Sequence, residues 1–177
     1  DIKAAGTAMR FLTAFLSKVV GEWTITGTQR MKNRPIKILV DALNSLGARV
    51  EYMEKEGYPP LRIFGSALQG GEISLAGGVS SQYISALLMI APLMEKGLTL
   101  HLEGAIISKP YINLTLQLME QYGVKVDWSG QTIKVRPQDY HPIPFTVESD
   151  WSAASYWYSM MALSKNAEIE LLGLFKN

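Results

Sequence analysis

The chain of 177 residues contains no cysteine, which excludes a disulfide scaffold, thiolate metal sites and a cysteine nucleophile. The chain also lacks a large excess of charge of either sign. Lys and Arg number 17 against 16 Asp and Glu, and the resulting net charge of +1 favours neither nucleic acid nor an acidic membrane surface as a partner. The longest apolar stretch, Ile84 to Met94, is too short to span a bilayer. The Walker phosphate loop and the GxGxxG dinucleotide fingerprint are both missing.

With 47% hydrophobic and 19% charged residues, the composition is that of a globular protein. The chain begins at Asp1, directly before a glycine motif, and we expect it to be a piece of a longer protein. The Pro-rich stretch from Asp139 to Pro144 predicts a connection between domains. We therefore expect residues 1–147 to form two repeat units of one lobe, and residues 148–177 to begin a second lobe.

Three stretches of the chain resemble one another, which predicts an internally repeated fold. They run from Gly6 to Gly27, from Ser80 to Gly104 and from Ser152 to Gly173. Each begins with small residues, continues as an apolar helix and ends in a strand with alternating apolar positions. The third copy stops after this strand, AEIELLG.

The first two copies continue in parallel with a second helix and a pair of strands. The second helices are predicted from near Pro35 to Gly47 and from Lys109 to Gly123, the latter with an apolar stripe through Tyr111, Leu114, Leu118 and Tyr122. An extra strand, GGEISLAG, makes the second unit βαβαββ. The predicted fold is therefore mixed α/β, and the nearly all-apolar helix Gln82–Lys96 is expected to be buried against sheets on several sides.

Four helix starts carry residue types that bind anions. They are Gly6–Thr7, the run from Gln29 to Arg34, Ser80–Ser81–Gln82, and Ser108–Lys109–Pro110. A helix N-terminus offers unpaired N–H groups and a partial positive charge, so phosphate and carboxylate groups are stable there. Because equivalent helices of repeated units start at equivalent places, these ends are expected to face one cleft and to bind substrates with several negative charges.

Ordinary helix capping is the alternative, since Ser, Thr and Asn are common N-cap residues. The basic residues near the helix starts favour an anion site instead. A cation at a helix N-terminus costs roughly 0.3–1 kcal/mol, and a bound anion would reverse that effect. The basic residues concerned are Arg30, Lys32, Arg34 and Lys109.

Five segments in this order resemble the EPSP synthase family of enolpyruvyl transferases. AGTAMR (Ala5–Arg10) is similar to the family's LGNAGTAMRP signature, and QRMKNRPI (Gln29–Ile36) to its PRMxxRPI segment. SSQY (Ser80–Tyr83), SKPYINLTLQLMEQYGV (from Ser108) and ESDWSAASYW (from Glu148) resemble three further segments. The resemblance covers essentially the whole chain. It implies a lobe of βαβαββ units with helices inside and sheets outside, an inside-out α/β barrel that is incomplete here.

The resemblance also implies an activity, which is transfer of the enolpyruvyl group from phosphoenolpyruvate to the 5-hydroxyl of shikimate 3-phosphate in the shikimate pathway. No metal or cofactor is implied. The implied roles divide the residues between the two substrates. The residues that match the family's shikimate 3-phosphate contacts are Ser80, Ser81, Gln82, Ser108 and Tyr111. Those that match its phosphoenolpyruvate contacts are Gly6, Arg30 and Gln82, and the supportive positions are Thr7, Arg10 and Arg34.

The chain departs from the family pattern at Ala4, where Asn is usual, and at Phe11, where Pro is usual. No residue here matches the family's acid/base groups, so no catalytic residue is assigned and the piece alone is expected not to catalyse. The resemblance further implies small-molecule substrates, a monomeric full-length enzyme, a cytoplasmic location and no nucleic acid or membrane partner.

Three alternatives remain open from the sequence. A UDP-N-acetylglucosamine enolpyruvyl transferase shares the repeat but usually carries a loop cysteine. An RNA 3′-phosphate cyclase would need a nucleophilic histidine, whereas His101 and His141 have the patterns of a strand-surface and a loop residue. A non-catalytic anion-binding half-lobe is the third.

Overall fold

A computed structural model describes residues 1–174 of the chain. It contains two compact units, Asp1–His141 and Pro142–Asn177. The division falls inside the Pro-rich stretch, a few residues before the expected boundary near Glu148. The assignment of residues 148–177 to a second lobe stays a prediction.

The elements of the first unit follow the predicted order of two repeats. The first repeat contains α1 (Gly6–Lys18), β1 (Gly21–Ile25), the one-turn helix α2 (Gln29–Lys32), α3 (Lys37–Ser45), β2 (Arg49–Tyr52) and β3 (Leu61–Gly65). The second contains β4 (Gly71–Ala76), α4 (Ser81–Ile90), a 3₁₀ turn (Ala91–Leu93), β5 (Leu98–Glu103), α5 (Lys109–Gln121), β6 (Val126–Ser129) and β7 (Thr132–Val135). Helix α6 (Trp151–Leu163) belongs to the second unit.

The strands form two separate sheets, one for each repeat. The first has the order β1-β3-β2 and is antiparallel throughout. The second has the order β4-β5-β7-β6, in which β4 and β5 are parallel and the other pairs are antiparallel. Alternate residues of β5, Leu98, Leu100 and Leu102, are buried, so one face of this sheet packs on the core.

Helix α4 lies at the centre of the first unit. It packs against α1, α3 and α5, and Leu87 and Leu88 have no exposed surface. The prediction that this helix is buried is confirmed, and its most extensive packing is with the other helices. Because α1 and α3 also pack on the strands of the first sheet, the helices lie inside and the sheets outside, as expected.

Three local predictions were wrong. Helix α4 ends at Ile90 and not at Lys96, because Pro92 cannot continue an α-helix. Helix α3 begins at Lys37, so Pro35 precedes the helix and does not lie in its first turn. Helix α5 buries Ile112 and Met119, while Tyr111 and Leu114 of the predicted stripe are 64% and 63% exposed.

Of the predicted third repeat, only the helix is present in the described part of the second unit. Helix α6 starts at an N-cap, Asp150, whose carboxylate accepts hydrogen bonds from the amides of Ser152 and Ala153. The expected strand from Ala167 to Gly173 is wrong, because these residues have no strand structure. A strand needs a partner strand for its hydrogen bonds, and the described part of this unit, residues 142–174, contains none.

None of the helices in residues 1–174 is long and apolar enough to cross a membrane.

Candidate functional site

The starts of α1 and α4 are joined by a direct side-chain contact. Gln82, in the first turn of α4, donates a hydrogen bond from Nε2 to Oγ1 of Thr7, in the first turn of α1, over 2.9 Å. The two residues are 75 positions apart in sequence. Two of the four predicted anion-binding helix starts therefore meet in the folded chain.

Two arginines lie against the backbone of Gly6. Arg10 donates a hydrogen bond from Nη1 to the carbonyl oxygen of Gly6, over 2.8 Å. A Cβ atom at Gly6 would overlap Nη1 of Arg34 and would lie 2.7 Å from Nη1 of Arg10. The absence of a side chain at Gly6 is thus what allows both guanidinium groups to approach the start of α1.

Arg34 also lines a cavity of about 400 Å³ together with Ala4, Arg30 and Met31. Met31 is buried below it, whereas Arg30 and Arg34 are exposed. The backbone around the cavity is held by hydrogen bonds from the amides of Ile2 and Thr28. The cavity is therefore polar and cationic, and alanine at position 4 contributes no polar group to it.

Arg10, Arg30 and Arg34 form no ion pair with any carboxylate in residues 1–174. We call these three residues the arginine cluster. Arg10 is only 5% exposed, and its Nε atom has no hydrogen-bond partner among the described residues. Burying the Arg10 cation without a counter-charge is unfavourable, and the exposed guanidinium groups of Arg30 and Arg34 can donate to an oxyanion, so the arginine cluster favours a bound anion.

Two of the predicted basic residues do not belong to this cluster, which corrects the sequence argument. Lys32 forms an ion pair with Glu54, with 2.6 Å between Nζ and Oε1. Lys109 places its ammonium 5.0 Å from the ring centre of Trp128, in a cation–π contact. Sequence spacing alone could not show these partners, since Glu54 lies in the segment between β2 and β3 and Trp128 lies on β6.

The start of α4 combines capping with free groups. Oγ of Ser80 accepts a hydrogen bond from the amide of Gln82 over 3.4 Å, so the capping explanation applies to this residue. Ser81 is the first residue of the helix and is partly exposed. Both serines therefore lie beside Gln82, at the same helix end as its contact with Thr7.

Ser108 and Tyr111 belong to the start of α5, which lies at the same edge of the second sheet as the start of α4. Strands β4 and β5 are parallel, and each leads into one of these helices. The connecting segments are adjacent, since the amide of Gly77 donates to the carbonyl of Glu103 over 2.6 Å. Ser108 is the N-cap of α5, but its hydroxyl makes no capping hydrogen bond.

No hydrogen bond within the described residues joins Ser108 or Tyr111 to the other predicted site residues. Tyr111 is 64% exposed, so its ring is free to contact a ligand at the start of α5. The structure thus brings Gly6, Thr7, Arg10, Arg34 and Gln82 into direct contact and leaves Ser108 and Tyr111 on the neighbouring helix.

The two histidines lie away from the arginine cluster. His101 contacts Glu72 over 2.7 Å and Thr132 over 3.0 Å on the second sheet, as the strand-surface interpretation predicted. His141 is an exposed residue after β7. Burial raises the pKa of Tyr52 and of Tyr140 to about 12, so neither phenol ionises near neutral pH.

Sequence reasoning missed one residue of the site, Tyr83. It is 7% exposed, its ring lies 5.6 Å from the guanidinium carbon of Arg10, and its hydroxyl donates to the carbonyl of Pro35 over 2.7 Å. The SSQY motif contains this tyrosine, but helical periodicity assigns it to the core. No sequence signal showed that a core tyrosine would reach the backbone next to Arg34.

Known proteins with similar sequences cover the same stretch of chain. A 3-phosphoshikimate 1-carboxyvinyltransferase of Bacteroides fragilis is 65% identical over 178 residues, which is all of this chain and 43% of the relative. One from Vibrio cholerae serotype O1 is 46% identical over 176 residues, 98% of this chain and 41% of the relative. The chain therefore spans less than half the length of these curated relatives.

A solved structure, an EPSP synthase from Acinetobacter baumannii, has a similar fold. The TM-score is 0.73 at 23% sequence identity, and the match covers 88% of this chain and 34% of the other. This similarity supports the fold assignment, α/β repeats of an EPSP synthase lobe. The sequence model of the family described as EPSP synthase (3-phosphoshikimate 1-carboxyvinyltransferase) matches residues 1–177. The chain belongs to the EPSP synthase family.

Proposed function

We propose that this chain supplies substrate-binding parts of an enzyme that transfers the enolpyruvyl group from phosphoenolpyruvate to the 5-hydroxyl of shikimate 3-phosphate. The products would be 5-enolpyruvylshikimate 3-phosphate and phosphate. The observation that carries the proposal is the arginine cluster, whose cations lie without carboxylate partners in residues 1–174 where the starts of α1 and α4 meet. Family membership over the whole chain supports the same reaction.

The two substrates would divide the site between them. The phosphate of shikimate 3-phosphate fits the starts of α4 and α5, where Ser80, Ser81 and Ser108 offer hydroxyl groups beside helix N–H groups. Tyr111 would lie beside the ring of the shikimate group.

Phosphoenolpyruvate fits the start of α1, where Gly6 and Arg30 lie beside the cavity and Arg34 completes its cationic wall. Gln82 lies between the two regions because its amide already contacts Thr7 on α1.

The chemistry would proceed by addition and elimination. The 5-hydroxyl oxygen loses its proton and bonds to C2 of phosphoenolpyruvate, while the C2–C3 double bond becomes a single bond and C3 takes up a proton, which gives a tetrahedral intermediate. Loss of phosphate from C2 and of a proton from C3 then restores the double bond. In this scheme Arg30 and Arg34 hold the anionic groups of phosphoenolpyruvate, and Gln82 orients the two substrates.

The residues that line the cavity include no proton carrier, since they are Ala4, Arg30, Met31 and Arg34. General acid–base catalysis needs a positioned group that gains and loses a proton near neutral pH. We therefore propose that the carrier comes from a part of the full-length protein other than the arginine cluster. We also propose that the full-length protein acts as a monomer in the cytoplasm on small molecules alone. The near-neutral net charge of this chain supports only the last part, since it favours neither nucleic acid nor an acidic membrane surface as a partner.

Calorimetry with the 177-residue chain tests the substrate assignment. Shikimate 3-phosphate is expected to release heat on binding, because its phosphate meets two helix N-termini and three serine hydroxyls. UDP-N-acetylglucosamine and an RNA 3′-phosphate end should bind at least about tenfold more weakly, a difference of ~1.4 kcal/mol. Equal binding of every phosphorylated ligand would indicate a non-selective anion-binding half-lobe and would contradict the proposal.

Arg30→Ala is expected to impair phosphoenolpyruvate more than shikimate 3-phosphate. The substitution would be made in a chimaera in which this chain replaces the matching segment of the Bacteroides fragilis relative. A lost charged hydrogen bond is worth about 1.5–3 kcal/mol, so the KM for phosphoenolpyruvate should rise roughly ten- to hundredfold. The KM for shikimate 3-phosphate should change about twofold or less, because Arg30 lies at the α1 side of the site.

Lys32→Ala provides the matched control. It removes a positive charge from the same one-turn helix, but this charge is paired with Glu54 and lies outside the cavity. Its KM values should stay close to those of the unmodified chimaera. Equal losses for both substrates in Arg30→Ala would contradict the assigned role.

A further inference from the structure

Tyr83 connects three parts of the candidate site. It lies in the first turn of α4, two residues after Ser81, and is 7% exposed. Its hydroxyl donates a 2.7 Å hydrogen bond to the carbonyl of Pro35, 48 positions away in sequence. A buried tyrosine hydroxyl usually has such a partner, and this one directly follows Arg34 in the chain.

The ring of Tyr83 supports Arg10. The guanidinium carbon lies 5.6 Å from the ring centre, within the range of a cation–π interaction. Arg10 also donates a hydrogen bond to the carbonyl of Gly6 over 2.8 Å. Arg10 is therefore fixed between α4 and the start of α1, although it has no carboxylate partner in residues 1–174.

The hydroxyl of Tyr83 holds the segment that carries Arg34. This segment connects α2 to α3, and Asn33, Arg34 and Pro35 are all exposed. Its described long-range hydrogen bonds are the one from Tyr83 to Pro35 and one from the amide of Ile36 to the carbonyl of Gly57, over 2.9 Å. Without the Tyr83 contact, no hydrogen bond among the described residues would tie this segment to α4.

We propose that Tyr83 is a positioning residue, which fixes Arg34 through the backbone of Pro35 and Gly6 through Arg10, so that the anion pocket keeps one geometry relative to α4. The ligand named here, phosphoenolpyruvate, rests on the proposed function; the positioning of the segment does not. Tyr83 touches no ligand in this scheme and acts through the groups that do.

Tyr83→Phe in the full 177-residue chain tests this role, because it removes the hydroxyl and keeps the ring. Tyr140→Phe is the matched control. Its hydroxyl also donates to a backbone carbonyl, that of Met89 in α4, over 2.8 Å, but this carbonyl is near the C-terminal end of α4, and Tyr140 lines a cavity that includes none of the three arginines. Both variants lose one hydrogen bond, so their thermal midpoints should fall by similar amounts.

Two measurements separate positioning from general weakening. Amide hydrogen exchange of Arg34 and Ile36 should become about fivefold faster in Tyr83→Phe and stay unchanged in Tyr140→Phe, as expected for loss of one local hydrogen bond. The affinity for phosphoenolpyruvate, measured calorimetrically with shikimate 3-phosphate present, should fall about fivefold in Tyr83→Phe alone. The affinity for shikimate 3-phosphate itself should stay within about twofold.

The outcomes distinguish this inference from the proposed function. Identical exchange rates in Tyr83→Phe and Tyr140→Phe would overturn the positioning role, whatever happens to ligand binding. Faster exchange of Arg34 and Ile36, combined with an unmodified chain that binds no phosphoenolpyruvate, would support the positioning role and overturn the substrate assignment.

Discussion

Gly6→Ala is expected to raise the KM for phosphoenolpyruvate by about ten- to hundredfold in the chimaera, because each charged hydrogen bond that the substitution disturbs is worth about 1.5–3 kcal/mol. The new Cβ would overlap Nη1 of Arg34 and lie 2.7 Å from Nη1 of Arg10. Both guanidinium groups must then move away from the start of α1. The KM for shikimate 3-phosphate should change about twofold or less, since the serines of α4 and α5 are not displaced.

The fold should tolerate this change. The three atoms nearest to a Cβ at Gly6 would be side-chain atoms of Arg34, which is exposed, and Arg10, which is buried, and none is a backbone atom. Alanine also favours a helix interior over glycine by about 1 kcal/mol, and a part of this gain applies at Gly6, the first residue of α1. Because this gain offsets the displacement of the buried Arg10, the thermal midpoint is expected to change little, which separates a loss of binding from a loss of structure.

Gly78→Ala is the control for this substitution. A Cβ at Gly78 would meet only Cδ1 of Ile107, at an ordinary contact distance of 3.6 Å. Kinetic constants close to those of the unmodified chimaera are expected. An unchanged KM for phosphoenolpyruvate in Gly6→Ala would show that the positions of Arg10 and Arg34 do not matter for this substrate.

The second large effect is on turnover. The 177-residue chain alone is expected to release no phosphate from phosphoenolpyruvate and shikimate 3-phosphate above background, while the chimaera releases phosphate continuously. General acid–base catalysis contributes about 10²–10⁴-fold to a rate, and the lining of the arginine-bearing cavity includes no group suited to it. A continuous assay of phosphate release compares the two proteins at equal concentration.

Calorimetry on the same sample of the chain supplies the control, since binding of shikimate 3-phosphate shows that a chain without activity is folded. Phosphate release by the chain at a rate close to that of the chimaera would refute this prediction. It would also place the proton carrier among the residues of this chain.

The repeated architecture was predictable because it depends on local patterns. Apolar periodicity, Pro110 in the first turn of α5 and the glycines after α3 and α5 set the order of elements. Gly47 and Gly123 have φ values of +98° and +86°, which glycine adopts without strain. These signals lie within a few residues of the structure they determine.

Long-range partners were not predictable from the same patterns. Lys32, Lys109 and Arg34 have similar sequence surroundings, yet one pairs with Glu54, one lies over Trp128 and one lies against Gly6. The apolar residues of α5 occupy two helix faces, and only packing against α4 decides which face is buried. The contribution of Tyr83 depends on a contact across 48 residues, which no local window contains.

The arginine cluster also couples stability to the solution around the protein. Three neighbouring guanidinium groups repel one another, so any oxyanion that binds between them to the folded chain alone shifts the unfolding equilibrium by mass action. Sulfate and phosphate buffers would raise the melting temperature while they compete for the same groups, and chloride would do so far less. The anion of the purification buffer would therefore set the apparent affinity of every ligand that is measured afterwards.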